Sequence, residues 1–288
     1  MRETLRGVDA ARLERSCVRE RNSIRFGAKA FGVERAETHL TTCAFEPHRH
    51  DSYAIGITIA GVQSFRYRGA RRICLPGQLH VLHPDETHDG AAATDAGLHY
   101  RILYIEPALI RDALDGRELP FVADPVHDPT PATRSLAGLL DDIDEPISDL
   151  SRVDIATVIA DTLSTLAGRP GHRLSIDLRA VTLVRDHLAA DPSQHTSAHT
   201  LEHLSGIDRF AIARQFRRAF GTSPDRYRTM RRLDLARATI ERGESLARAA
   251  ASAGFADQSH MTRQFKRAYG MTPARWAAAT AQPNHPHQ

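Results

Sequence analysis

Arg214 and Arg263 stand at the same place in two copies of one segment. Residues 212–228 read IARQFRRAFGTSPDRYR, residues 261–277 read MTRQFKRAYGMTPARWA, and 8 of the 17 aligned positions are identical. Self-similarity of this kind means that one supersecondary unit is used twice. An arginine fork can grip guanine O6 and N7, and a glutamine can pair with adenine. The outward positions of the first copy are Arg209, Phe210, Ala213, Arg214 and Arg217; those of the second are Gln258, Ser259, His260, Arg263 and Lys266. Arg218 and Arg267 lie further round and suit phosphates, which position a protein without reading sequence. A second constellation lies far upstream, at His48, His50, Tyr53, His80 and His88. The i, i+2 spacing of His48 and His50 puts both rings on one face of a strand. There they can hold the polar groups of a small ligand. With His80 or His88 as a third imidazole they could instead hold zinc with an open position.

The repeated residues need helices to present them. Ile212, Phe216, Ala219 and Phe220 recur at helical spacing, and Met261, Phe265, Ala268 and Tyr269 repeat the stripe. Asp208 and Asp257 suit N-caps, while Gly221 and Gly270 sit where a C′ glycine ends a helix. A shorter helix precedes each long one, at 200–206 and 245–254, with Gly206 and Gly254 in the turns. Helix, short turn and helix make a helix-turn-helix, whose second helix enters the major groove of double-stranded DNA. Tyr227, Met230, Leu233, Ala236 and Ile240 step by three or four, so one linker helix over 224–242 joins the two units.

The upstream histidines need strands. Tyr53, Ile55, Ile57 and Ile59 alternate as in a half-buried strand, residues 98–106 form another, and turn signals at 69–70, 76–77 and 83–84 separate short runs over 38–105. That pattern predicts an antiparallel barrel or jelly roll with its core over about 25–107. Barrel mouths offer concave, partly apolar pockets, so His48, His50, Tyr53 and His88 are the candidate ligand-binding residues. Residues 107–130 are rich in Pro and Asp and read as loop, with one helical turn near 108–115. Helices follow at 133–143 and 153–168, carrying the apolar stripes Leu136, Leu139, Leu140, Ile143 and Ile155, Val158, Ile159, Leu163. Residues 169–172 read as the interdomain linker, and 282–288 as a disordered tail.

Charge divides the chain in the same way. Residues 171–288 hold 18 Arg and Lys against 10 Asp and Glu, while residues 1–170 hold 20 against 25. A basic third beside an acidic remainder suggests a polyanion partner for one part only. No run of 18 apolar residues exists to span a membrane, and the arginine-rich first 25 residues lack the apolar core of a secretory signal. Cys17, Cys43 and Cys74 form no CxxC pair, which fits a reducing cytoplasm. The chain also lacks the GxGxxG, P-loop and GxSxG motifs of nucleotide and hydrolase sites.

The stretch 243–276, with Gly254-Phe255, Asp257-Gln258-Ser259, Phe265-Lys266-Arg267, Gly270 and Thr272-Pro273, closely resembles the signature of the AraC/XylS family of transcription regulators. Residues 204–227 resemble the family's upstream helix-turn-helix, and Arg232-Leu233 with Ala236-Arg237 match its linker helix. The resemblance implies base contacts by Phe210, Ala213 and Arg214 in the first unit and by Gln258, Ser259, His260 and Arg263 in the second. Phe210 departs from the family, where polar or Trp side chains are common. The segment around His48 and His50 resembles a cupin, the sensor barrel of many such regulators. A cupin metal centre adds a Glu, and Ala54 and Ile55 stand where it would fall.

Together these readings give an α+β multidomain chain. Residues 1–107 form a cupin-like antiparallel β barrel that senses a small-molecule effector, and 108–170 a linker and helical segment that either pairs subunits in a homodimer or packs on its own barrel. Residues 171–288 form an all-α DNA-binding domain with helix-turn-helix units at 199–221 and 245–270. The expected protein is a cytoplasmic regulator, not an enzyme, with no membrane partner, no catalytic residue, no metal and no cofactor. Its rival is a metal-dependent cupin enzyme with an appended DNA-binding module.

Overall fold

The structure is a computed structural model that describes residues 22–41, 44–168 and 176–280. The linker at 169–172, the tail at 282–288, Cys17 and Cys43 lie outside the described residues. Cys74 is buried and free.

The first part is two antiparallel sheets. The larger has the order β1 (Ser23–Ala30), β2 (Val33–Leu40), β9 (Leu98–Ile105), β4 (Tyr53–Gly61), β7 (Leu79–Leu82), β10 (Val126–His127). The smaller has the order β3 (Ala44–His48), β8 (His88–Ala92), β5 (Gln63–Tyr67), β6 (Ala70–Cys74). β4 and β9 pair from Tyr53 opposite Ile105 to Gly61 opposite Leu98. The predicted alternation along β4 is present, but the strand is not half-buried, because both faces are covered. Ala54 belongs to the core inside the sheets. Tyr53 and Ile55 face a second core, formed with α1 (Pro107–Ala113), α2 (Pro131–Gly138) and α3 (Asp149–Ala167).

The helices cover that outer face with Ile110, Leu136, Leu140, Ile155, Ile159 and Leu163. So the apolar stripes at 133–143 and 153–168 pack on their own barrel. α2 starts earlier than expected because Thr130 and Thr133 cap it reciprocally. It also stops sooner. The carbonyls of Leu140 and Asp141 accept hydrogen bonds from Arg101, and that of Asp142 from Arg35, in place of further helical bonds. α3 starts at Asp149 rather than 153, where Ser148 caps it.

The second part is helical: α4 (Leu178–Ala190), α5 (Ala198–Ser205), α6 (Arg209–Phe220), α7 (Pro224–Glu241), α8 (Leu246–Ser252), α9 (Gln258–Tyr269) and α10 (Pro273–Thr280). Both helix-turn-helix units and the linker helix lie where the repeat places them. Asp208 caps α6 through the amides of Phe210 and Ala211, and Asp257 caps α9 through that of His260. α4 was not anticipated, although Val181, Val184 and Leu188 already stand at helical spacing; they pack on Ile212, Phe216 and Phe220 of α6. The second unit differs in its packing. Its core residues Met261, Phe265, Ala268 and Trp276 are continuous with the core inside the sheets, so the helical domain forms one wall of the barrel.

Candidate nucleic-acid interface and effector cavity

α6 and α9 are the two long helices of the repeat, and each presents one face to solvent. Arg209, Phe210, Ala213, Arg214, Arg217 and Arg218 are exposed on α6. On α9, Gln258, Ser259, Arg263 and Arg267 are exposed, whereas His260 and Lys266 are half-buried. Phe210 is 70% exposed, so without a partner its apolar ring stays in water at a cost. Among the described residues Arg214 and Arg263 take part in no ion pair.

Several other expected DNA contacts are engaged within the protein. Arg209 reaches back across the turn to Glu202, with Nε at 2.7 Å and Nη2 at 2.8 Å, and so braces the first helix-turn-helix. His260 packs edge-on to Phe255. Arg217 lies 3.3 Å from Asp85, and the Lys266 ammonium 2.7 Å from Glu46. The last two partners belong to the barrel, and no local pattern announced them.

These ion pairs are part of a broad seam. The amide of Glu46 donates to the carbonyl of Gly270 at 2.9 Å, and that of Arg49 to the carbonyl of Arg267 at 3.0 Å. Buried Arg111 of α1 donates to the Ala219 carbonyl at 2.7 Å. Both C′ glycines face the barrel in left-handed backbone. A Cβ at Gly221 would come 2.9 Å from Pro84, and one at Gly270 would come 2.7 Å from His48 Nδ1. Further along, Arg231 of α7 pairs with Glu106 at 2.6 Å and Asp51 at 3.3 Å, and Arg237 pairs with Glu34 at 2.8 Å.

A cavity of about 300 Å³ lies behind this seam. The barrel supplies most of its wall, and α7, α9 and α10 close it through residues such as Met230, Arg237, Tyr269 and Trp276. His48, His50 and His88 meet there, with ring centroids 4.3 Å (His48–His88), 4.9 Å (His50–His88) and 6.2 Å (His48–His50) apart. Each ring places Nδ1 within 2.8–3.0 Å of a backbone carbonyl, of Glu46, Ser52 and Glu86 respectively. A carbonyl only accepts, so Nδ1 carries the proton and Nε2 keeps a lone pair. Burial, reinforced by His88, pulls His48 down to about 3 and His50 well below its ordinary value; burial also lowers His88.

His80 lines the cavity too, and burial pulls it down to about 3. Tyr53 does not line it. Its ring lies on the opposite face of β4 in the outer core, and its hydroxyl donates to the Pro120 carbonyl at 3.2 Å. The reason is the pleat: Tyr53 follows the histidine loop in sequence but starts a strand whose even positions face inward. Among the described residues no group of three or more His, Cys, Asp and Glu side chains is arranged to hold a metal ion.

Gly56 fixes the His80 ring. A Cβ there would lie 2.3 Å from His80 Cε1 and 3.1 Å from the Arg101 carbonyl oxygen, and His80 is only 1% exposed. Gly56→Ala is therefore expected to destabilise the fold by about 1–3 kcal/mol through overpacking. Urea denaturation of the full chain measures it, and an unchanged midpoint would show that the ring can retreat.

The AraC-like ligand binding domain model matches residues 30–158, and a helix-turn-helix domain model matches residues 201–279. The two matches together make the chain an AraC-type transcription regulator. It joins an N-terminal ligand-binding domain to a helix-turn-helix DNA-binding domain. One relative of this AraC-type regulator is the uncharacterized HTH-type transcriptional regulator YbfI of Bacillus subtilis, 26% identical over 223 residues, which are 75% of this chain and 81% of YbfI. Among solved structures, ToxT from Vibrio cholerae aligns over 91% of this chain and 99% of its own, with a TM-score of 0.61 and 12% identity. A ToxT structure with bound unsaturated fatty acid aligns over 91% and 95%, also with a TM-score of 0.61 and 12% identity. At that identity the likeness is one of fold. No helix among the described residues is long and apolar enough to cross a membrane.

Proposed function

We propose that this AraC-type regulator reads DNA with Arg214 and Arg263 and couples that reading to an effector held in the cavity between barrel and linker helix. The observation that carries the first half is the matched exposure of the two arginines, one on each recognition helix. Phe210, Ala213, Gln258 and Ser259 complete the base-reading faces, while Arg218 and Arg267 hold phosphates. The second half rests on the cavity wall, which both domains build. A ligand that touches both can shift their arrangement by the difference in its affinity for each state. The fatty acid bound to ToxT supports an organic effector in general terms.

The working protein in this reading is cytoplasmic and performs no chemistry on its ligand. Ala54 and Ile55, where a cupin centre has its carboxylate, support an effector site without a metal cofactor. Pairing of two copies also belongs to the reading; Leu150 and Val153 of α3, 73% and 57% exposed, are among the apolar residues available for it.

Mapping bound sites genome-wide supplies the operator. Fluorescence anisotropy on that operator at fixed salt then tests the contacts. Arg263→Ala is expected to weaken binding by about 1–3 kcal/mol and to relax preference at one base pair. Equal weakening on every sequence would assign Arg263 to phosphate instead.

A further inference from the structure

We infer that the cavity takes an organic cation, a protonated amine carried on an apolar body. The inference rests on the effector reading above and deepens it, because the polar groups inside the cavity are of one kind. His48, His50 and His88 each spend their ring proton on a backbone carbonyl, so the trio offers lone pairs. An ammonium has three N–H donors and no acceptor, whereas a carboxylate only accepts. The first can donate to any of these lone pairs, and the second meets them as like against like. A carboxylate would have to arrive with protons for rings that burial keeps neutral.

Charge points the same way. Six carboxylates line the cavity, Glu34, Asp51, Asp89, Glu106, Asp234 and Glu241, against two guanidiniums. Neither guanidinium is left for an anion. Arg231 lies between Glu106, Asp51 and Asp234, and Arg237 is held by both oxygens of Glu34. Arg226 approaches the histidines from the neighbouring groove, where Asp85 and the Arg49 carbonyl hold it.

The remaining wall suits a cation with an apolar body. Phe26, Phe65, Tyr100, Tyr104 and Trp276 line it, and ring faces attract positive charge. The wall already does this once, since the Arg237 guanidinium carbon sits 4.7 Å from the Phe26 ring centroid and 5.2 Å from that of Trp276. A cavity near 300 Å³ is at the small end for an organic ligand, so one ring with a short chain is a suitable probe.

The experiment is calorimetric titration of the full chain with a matched series: 3-phenylpropylamine, 3-phenylpropan-1-ol and 3-phenylpropanoate. At about pH 7.5 and physiological salt the amine is expected to bind about tenfold more tightly than the alcohol, with the carboxylate weakest. Asp89 follows His88 on β8 and lines the cavity, and Asp89→Asn keeps the side-chain oxygen that accepts from the Arg66 amide, so the fold is retained. That variant is expected to weaken the amine about threefold or more and to leave the alcohol unchanged. The inference is overturned by a carboxylate that binds as well as the amine, by a series in which nothing binds, or by amine affinity indifferent to Asp89→Asn. Operator binding, measured in parallel, separates the two readings. If it stays sequence-specific while the amine preference is missing, only the ligand class is wrong. If it is absent, the regulator reading fails.

Discussion

Arg237→Ala is expected to cost the full-length protein about 3–5 kcal/mol and to split its unfolding into two steps. Arg237 reaches from α7 into the barrel, where its two Nη atoms bond the two oxygens of Glu34 at 3.1 and 2.8 Å. Its side chain is 9% exposed and that of Glu34 21%. Burial works against both charges, and their fork-to-carboxylate geometry offsets it. Alanine takes away the fork and leaves the carboxylate in the same dry surroundings. The Phe26, Tyr269 and Trp276 rings lose the flat group packed against them in the same step. Phe26 comes from β1 of the barrel, and Tyr269 and Trp276 from α9 and α10 of the helical domain, so the loss falls on the junction between the domains and on the helices that line it. Urea unfolding followed by two probes measures both effects. Pairing the change with Glu34→Gln should recover part of the loss, because the carboxylate charge that Arg237 no longer faces goes with it. A loss below about 1 kcal/mol with a single shared transition would show that the junction does not depend on this pair.

The same residue shows where sequence reading stopped. Signals carried by neighbouring residues were legible: the caps at Asp208 and Asp257, the C′ glycines and the buried stripes of α6 and α9 are local chemistry. Their duplication made the helical domain readable almost residue by residue. The barrel was legible as alternation, but alternation defines two faces without saying which is inside. Tyr53 fell on the outer one because α1, α2 and α3 bury it as completely as the sheets bury the inner one. The basic third of the chain predicts a polyanion partner. Part of that charge serves the protein itself. Arg217, Arg226, Arg231, Arg237 and Lys266 all pair with carboxylates of the barrel. The acidic first part and the basic last part are complementary surfaces of one molecule, and their partners lie between 125 and 220 residues apart in sequence. The cavity was missed in half for the same reason. His48, His50 and His88 could be named from the strands, whereas Arg237, Tyr269 and Trp276 enter it only through the docking of α7, α9 and α10.

The cavity's histidines also make stability depend on pH in a direction that can be worked out. Burial holds His48 and His80 near 3, against an ordinary 6.5, and lowers His50 and His88 as well. Below 6.5 the unfolded chain takes up protons that the folded chain refuses. Stability present at neutral pH is therefore lost as pH falls from about 6.5 towards about 3, at about 1.4 kcal/mol per pH unit for each excluded proton. Asp51 works the other way. Burial raises it to about 6, against the opposing pull of Arg231, so the folded chain takes up its proton first and regains stability between about 6 and 3.8. One carboxyl does not offset several imidazoles. Between pH 7 and about 4.5 the net loss from these groups is expected to be on the order of 6 kcal/mol, read from urea midpoints. His80→Leu isolates one contributor, because leucine fills an apolar position without titrating. That variant is expected to lose about one proton's worth of slope between about pH 6 and 5, while retaining the fold at neutral pH. An unchanged slope would mean that His80 takes up its proton equally in the folded and unfolded chain, and that the lone-pair-lined interior is open to water.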